Sequence, residues 1–124
     1  MNRPSRSPLY SLLMLWLPVV LWAAFIWNLS SIPHLRLLVS WWDYPLRKLA
    51  HMVVFGVLSR LIARALTEDT YWPWKKIFMG SLLLTFLYAC TDEWHQTYIA
   101  GRHGSPIDVI VDLTGAWIAL GLFP

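Results

Sequence analysis

The sequence predicts an all-α integral membrane protein, a four-transmembrane-helix bundle with short loops. Three observations predict it. Hydrophobic residues make up 57% of the 124 residues and charged residues only 14%, where an ordinary soluble domain carries roughly a quarter charged. Four apolar runs follow one another along the chain, each at or near the ~20 residues needed to cross a bilayer. The remaining charges gather at the ends of those runs. The layout reads as one domain over residues 1–124 and excludes a large catalytic domain outside the membrane. The single cysteine excludes an internal disulfide framework and a Cys-rich zinc site.

The first span is expected at about residues 9–29, interrupted only by Pro18. Arg3 and Arg6 ahead of it imitate the start of a secretory signal. The run is too long for one and lacks a small-residue cleavage pattern, so an uncleaved helix is expected. Pro18 predicts a kink or a local irregularity that neighbouring helices can satisfy. The second span is expected at about 49–66 and the third at 77–96. The third is apolar only as far as Cys90, and it reaches spanning length if its polar end faces protein or water. Cys90 itself is expected to pack as a small apolar residue. The fourth span is expected at 107–123.

In the first connection Leu35, Leu38, Val39 and Trp42 recur at helical spacing. This fits a short interfacial helix, and an irregular apolar loop fits equally well. Trp41, Trp42 and Tyr44 on one side, and Tyr71, Trp72 and Trp74 on the other, match the aromatic belts of a membrane protein. Basic residues set the orientation. Arg3, Arg6, Arg60, Arg64, Lys75 and Lys76 fall on one side, against Arg36, Arg47, Lys48 and Arg102 on the other. The bias places both termini in the cytoplasm. Arg60 and Arg64, one turn apart, are expected to reach into the headgroups. A net charge of +3 dispersed over helix ends gives no reason to expect a nucleic-acid partner.

The chemistry lies in the polar residues that helix ends alone do not explain. Arg47, Lys48 and His51 open the second span; Asp92, Glu93, His95 and Gln96 close the third. Arg102, His103 and Ser105 occupy a short loop, and Asp108 and Asp112 open the fourth. Four spans put all of them at one depth, near the outer surface. Lys48 and His51 share a helix face, as do Asp92 and Gln96, a face that Thr85 and Tyr88 extend inward. Asp108, Asp112, Gly115 and Ala119 form a stripe in which carboxylates are followed by small residues, the mark of a face packed on other helices.

Three readings stay open for this cluster. One is an ion-pair network that locks the helices, with Asp92 or Asp108 paired to Lys48 or Arg102. The second is a pocket for a lipid headgroup or an envelope precursor. There Arg47, Lys48 and Arg102 would hold phosphate, with Gln96, Asp108 and Asp112 completing the binding set. Asp92, Glu93 and His51 are the candidate catalytic residues for proton transfer. The third is an ion or proton pathway, against which stands the absence of ionisable residues in the first span and through the middle of the bundle. His51, Glu93, His95, Asp108 and Asp112 are metal-ligand types, but none falls in a known ligand spacing, so no metal and no cofactor is expected. His34 and His103 are expected at the surface.

The same residues resemble the VanZ-like family of small bacterial membrane proteins. The resemblance is carried by Leu29-Ser-Ser-Ile-Pro33, by Arg47-Lys-Leu-Ala-His51 with Phe55, and by Thr91-Asp-Glu-Trp-His-Gln96. It continues through Gly101-Arg102, Ser105-Pro-Ile-Asp-Val-Ile-Val-Asp112 and Gly115, from about residue 29 onward. It implies a multi-pass protein of the bacterial cytoplasmic (inner) membrane, in a family whose founding member is associated with teicoplanin resistance and the setting of peptidoglycan synthesis. The implied partners are the bilayer and an anionic lipid or lipid-linked cell-wall precursor, with a homo-oligomer left open. Trp94-His95 between the acidic pair and Gln96, and the high Trp content, depart from the family pattern. Whether the protein is an enzyme does not follow from the resemblance.

Overall fold

A computed structural model describes residues 5–33 and 40–122. The described residues form four helices and no strands: α1 (Pro8–Ser30), α2 (Asp43–Asp69), α3 (Trp74–Gln96) and α4 (Pro106–Leu122). The interfacial helix considered for Leu35, Leu38 and Val39, and His34 beside it, lie outside the described residues. Two of the helices, α1 and α2, are long and apolar enough to cross a membrane. The described part of α4 has 17 residues, about 26 Å at 1.5 Å per residue.

Each helix starts for a local reason. Ser7 caps α1, its hydroxyl accepting the Tyr10 amide at 3.2 Å, and Pro8 takes the first turn, where no amide is needed. The irregularity expected around Pro18 is a π turn over Ser11–Trp16. Pro18 cannot donate to the Met14 carbonyl one turn back, and Arg64 of α2 supplies a donor to that carbonyl at 3.2 Å. Arg64 therefore binds α1 rather than only reaching for headgroups. α2 begins at Asp43, six residues before its apolar run, because Asp43 sits in the first turn and pairs with Arg47 one turn on. Pro45 is harmless there for the reason that holds at Pro8. α4 opens on Pro106 after Ser105, whose hydroxyl accepts the Ile107 amide.

Cross-helix contacts give an up-and-down arrangement. Trp22 donates to the Val54 carbonyl at 2.8 Å, and Ser11 and Trp16 both donate to Asp69, so α1 and α2 run antiparallel. The Tyr88 hydroxyl donates to the Ala23 carbonyl and Ser30 to Asp92, so α1 and α3 run parallel. α2 and α4 are likewise parallel and meet along the stripe of small residues. A Cβ on Gly115 would collide with the Met52 backbone, and one on Gly56 would stand 3.2 Å from the Gly115 carbonyl and 3.3 Å from the Ala119 Cβ. Phe55, Leu58, Ile62, Ile26, Ala89, Val109 and Leu120 fill the interior.

The outside is as apolar as the inside. Leu12, Val20 and Leu21 of α1, Leu49 and Val53 of α2, Leu83 and Leu87 of α3, and Ile110 and Ile118 of α4 are all exposed. Ser59, Ser81, Thr85, Asp92, Glu93, Gln96 and Asp112 are buried. A water-soluble bundle reverses this distribution on its surface. Cys90 also faces outward. This corrects the expectation that it packs inside: Ala89 takes the buried position of that turn.

Candidate functional site

The C-terminal ends of α1 and α3 and the N-terminal ends of α2 and α4 meet at one end of the bundle. Because α2 and α4 are parallel and held close at Gly56 and Gly115, short carboxylates on α4 can reach α2. Lys48 and His51 share a face of α2; Asp108 and Asp112, one turn apart, share a face of α4. They form two rungs: Lys48 bridges to Asp108, and His51 Nδ1 lies 3.0 Å from Asp112 Oδ1. Lys48 also lies over the Tyr44 ring, 5.2 Å from its centroid.

The acidic pair of α3 is divided between two surroundings. Asp92 Oδ2 accepts from Ser30 Oγ at 2.9 Å and from Gln96 Nε2 at 3.0 Å, so the i, i+4 pair of α3 clasps the end of α1. Glu93 faces the loop before α4, and its Oε2 accepts the Ser105 amide at 3.1 Å. Gly104 permits that approach, since a Cβ there would strike the Glu93 carbonyl. Gly101 turns the same loop with φ 75°, a left-handed conformation natural to glycine. Asp92 and Asp112 are fully buried and Glu93 nearly so. Each keeps a second oxygen, Asp92 Oδ1, Glu93 Oε1 and Asp112 Oδ2, that is buried and has no hydrogen-bond partner among the described residues.

The cations differ in how they are spent. Arg102 donates through Nε to the Ile32 carbonyl at 3.1 Å and through Nη2 to the Leu29 carbonyl at 2.8 Å. It therefore caps the C-terminus of α1, where the helix dipole favours a cation. Burial, and then Arg47 nearby, press its affinity for a proton below the usual guanidinium value; a guanidinium remains charged all the same. The expectation that Arg102 pairs with Asp92 or Asp108 gives way to this capping role, while Lys48 does take Asp108. Arg47 lies 2.9 Å from Asp43. His95 stacks on Trp27, centroids 3.8 Å apart and planes within 11°, with Nε2 3.4 Å from Ser31 Oγ. It therefore belongs to the α1–α3 contact. His103 is exposed, as expected.

A cavity of about 480 Å³ opens at this end. Its lining includes the polar Arg47, Lys48, Arg102, His51, Gln96 and Asp108 and the apolar Ile26, Leu29, Val54 and Ile107. Among the described residues that line it, Asp92, Glu93 and Asp112 do not appear. They stand behind the wall. His51 alone of the candidate catalytic residues faces the cavity, with Asp112 behind it to orient the ring. That pairing can hold or pass a proton at the imidazole.

The chain alone pointed to no site role for Ser30, Asp43 or Trp27, and it placed Tyr44 only in an aromatic belt. Ser30 lay inside the quoted motif Leu29-Ser-Ser-Ile-Pro33, and Asp43 stands four residues before Arg47, a spacing that signals a helical ion pair. Nothing in the chain links Trp27 to His95, which meet only through the parallel packing of α1 and α3.

Fold and site together define an all-helical protein with an apolar exterior and a charged pocket at one end, the class of a membrane protein. The particular family follows from the whole chain: the family model described as VanZ/LLP1 matches residues 5–124, and the chain belongs to that family. Neither a curated protein nor a solved structure matches the chain.

Proposed function

We propose that this chain is a four-span protein of the bacterial inner membrane whose charged end faces outward and binds the anionic headgroup of a lipid or lipid-linked cell-wall precursor. The observation that carries the reading is the composition of the cavity. Its lining combines the cationic Arg47, Lys48 and Arg102 and the imidazole of His51 with the aliphatic Ile26, Leu29, Val54 and Ile107. An amphiphile with a phosphorylated head suits such a lining, because guanidinium and ammonium groups hold phosphate oxygens while aliphatic side chains take the chain. Arg47 and Lys48 are the principal phosphate contacts. Arg102 contributes the part of its guanidinium not spent on α1. His51, backed by Asp112, is the group placed to move a proton; Asp92 and Glu93 support the site from behind. Both termini lie in the cytoplasm, and a place in envelope maintenance or glycopeptide resistance belongs to the same proposal.

The test is lipid retention by the full chain in nanodiscs of mixed phosphatidylglycerol and phosphatidylcholine, read by native mass spectrometry. Wild type should retain the anionic lipid, and Arg47→Ala with Lys48→Ala should weaken retention about tenfold, or ~1.4 kcal/mol. Equal retention of the two lipids by wild type would sink the reading.

A second reading is favoured by the interhelical pairs Lys48–Asp108 and His51–Asp112: the cluster holds helices together and has no ligand. Under it, single charge removals lower the unfolding temperature and leave lipid retention unchanged, and the loss caused by Lys48→Asp is rescued by adding Asp108→Lys.

A further inference from the structure

The pairs at the charged end do not balance. Lys48 is taken by Asp108, Arg47 lies against Asp43, and Arg102 turns its Nε and Nη2 donors to the Ile32 and Leu29 carbonyls. Behind the cavity wall stand Asp92, Glu93 and Asp112, with His51 hydrogen-bonded to Asp112. Asp92 has two hydrogen-bond donors of its own, Ser30 and Gln96. Glu93 and Asp112 are held differently. Each has one oxygen held by a single neighbour, Glu93 Oε2 by the Ser105 amide and Asp112 Oδ1 by His51, and, like Asp92, one buried oxygen without a hydrogen-bond partner among the described residues. Two carboxylates placed together in a low-dielectric interior are costly unless something positive joins them.

His51, Glu93 and Asp112 each offer one ligand atom, and these atoms lie within 4.8 Å of one another. We infer that His51, Glu93 and Asp112, brought together from three helices, bind one divalent metal ion behind the cavity. The donor set selects the ion. One imidazole nitrogen and two carboxylate oxygens suit Mn²⁺ or Zn²⁺, whereas Ca²⁺ asks for six to eight oxygens. Metal–ligand bonds of about 2.0–2.2 Å require the three side chains to close on the ion by small rotations. The Ser105 amide on Glu93 is the kind of outer contact that orients a metal-binding carboxylate. No ligand spacing marks the site in the chain, because its members come from positions 51, 93 and 112 on separate helices. The inference does not depend on the lipid-binding reading; a metal site can stand without any cavity ligand.

The experiment uses the full chain purified in a zwitterionic detergent without added lipid, stripped with chelator and then freed of it. Mn²⁺ and Zn²⁺ are titrated separately, by electron paramagnetic resonance and calorimetry. One saturable ion per chain is expected, with nitrogen coupling from an imidazole in the pulsed spectrum of bound Mn²⁺. Glu93→Gln and Asp112→Asn, which keep side-chain size, should each weaken binding by at least about tenfold. Glu68→Gln, at the far end of the bundle, should bind as wild type. No saturable ion, an ion without nitrogen coupling, or unchanged binding in both carboxamide variants overturns the inference. Should the variants aggregate, the stoichiometry and nitrogen coupling of wild type decide alone.

Discussion

The two ends of the bundle use the same residue types to opposite effect. At the far end Arg6 pairs with Glu68 at 2.6 Å, both side chains about a third exposed (35% and 34%), while Ser11 and Trp16 donate to Asp69 at the surface. At the near end Lys48 and Asp108 are 27% and 15% exposed, and the Asp112 carboxylate that meets His51 is wholly buried. Exposed pairs of this kind contribute about 0–1 kcal/mol. Buried ones cost much to desolvate and much to break. A charge at the far end is thus explained by topology and solubility, but a charge at the near end demands a partner. Placing unpaired carboxylate oxygens there is expensive, and that expense is the physical reason to look for a ligand at that end and not the other.

The comparison breaks most severely where the helices carrying the buried rungs touch. Gly115→Val should push α4 off α2, because any Cβ there meets Met52 backbone rather than a movable side chain. A loss of about 3 kcal/mol, at the upper end of overpacking costs, is expected. It is measured as collapse of monodisperse yield and of the unfolding temperature in detergent. Gly121→Val, with open space around the added carbons, should leave both unchanged.

Asp92 gives the next largest effect. Asp92→Ala leaves Ser30 Oγ buried without its acceptor and Gln96 Nε2 with only the 3.4 Å contact to Ser30 Oγ, a cost of about 1–3 kcal/mol. Asp92→Asn keeps an acceptor oxygen and should lose less. The order alanine below asparagine below wild type, read by thermal unfolding, identifies hydrogen bonding as what Asp92 contributes; asparagine as damaging as alanine would point to its charge.

How much of this was legible in the chain depends on whether the information was local. The helices were, since each is announced by an apolar run, and so was the face Asp108–Asp112–Gly115–Ala119, which rests on periodicity along one helix. The α2 helix reaches back to Asp43, beyond the span expected from residue 49, because hydrophobicity marks where a helix becomes apolar, not where Asp43 and Pro45 let it begin. That Lys48 and His51 share a face was readable; that their partners are Asp108 and Asp112 required knowing that α2 and α4 are parallel and close. That Arg102 also caps the end of α1 was not readable, because nothing local shows where a loop guanidinium goes. Cys90 failed for a related reason: its turn offers two small residues, and the chain does not say which one faces inward.

Lys48→Ala comes third. It removes the cation facing Asp108 while both side chains retain some exposure, so its cost falls between surface and buried pairs, about 2 kcal/mol. Exchanging the two, Lys48→Asp with Asp108→Lys, should recover most of the lost unfolding temperature if the rung acts chiefly as a tie. Recovery of stability without recovery of anionic-lipid retention would separate the structural part of Lys48 from its part in binding.

The smallest effect belongs to the far end. Arg6→Ala removes one side of the exposed pair with Glu68 and should cost about 0.2–1 kcal/mol. The sharper expectation concerns salt. Charges in water are screened over about 10 Å at 0.1 M and 3 Å at 1 M, and buried charges much less. Raising the ionic strength from 0.1 M to 1 M should therefore erase the difference between Arg6→Ala and wild type while leaving most of the Lys48→Ala deficit in place. Unfolding temperatures of the three proteins at the two salt concentrations test this directly. If the Lys48→Ala deficit vanished in 1 M salt as well, the near end would be as wet as the far end. Its carboxylates would then need no partner other than water.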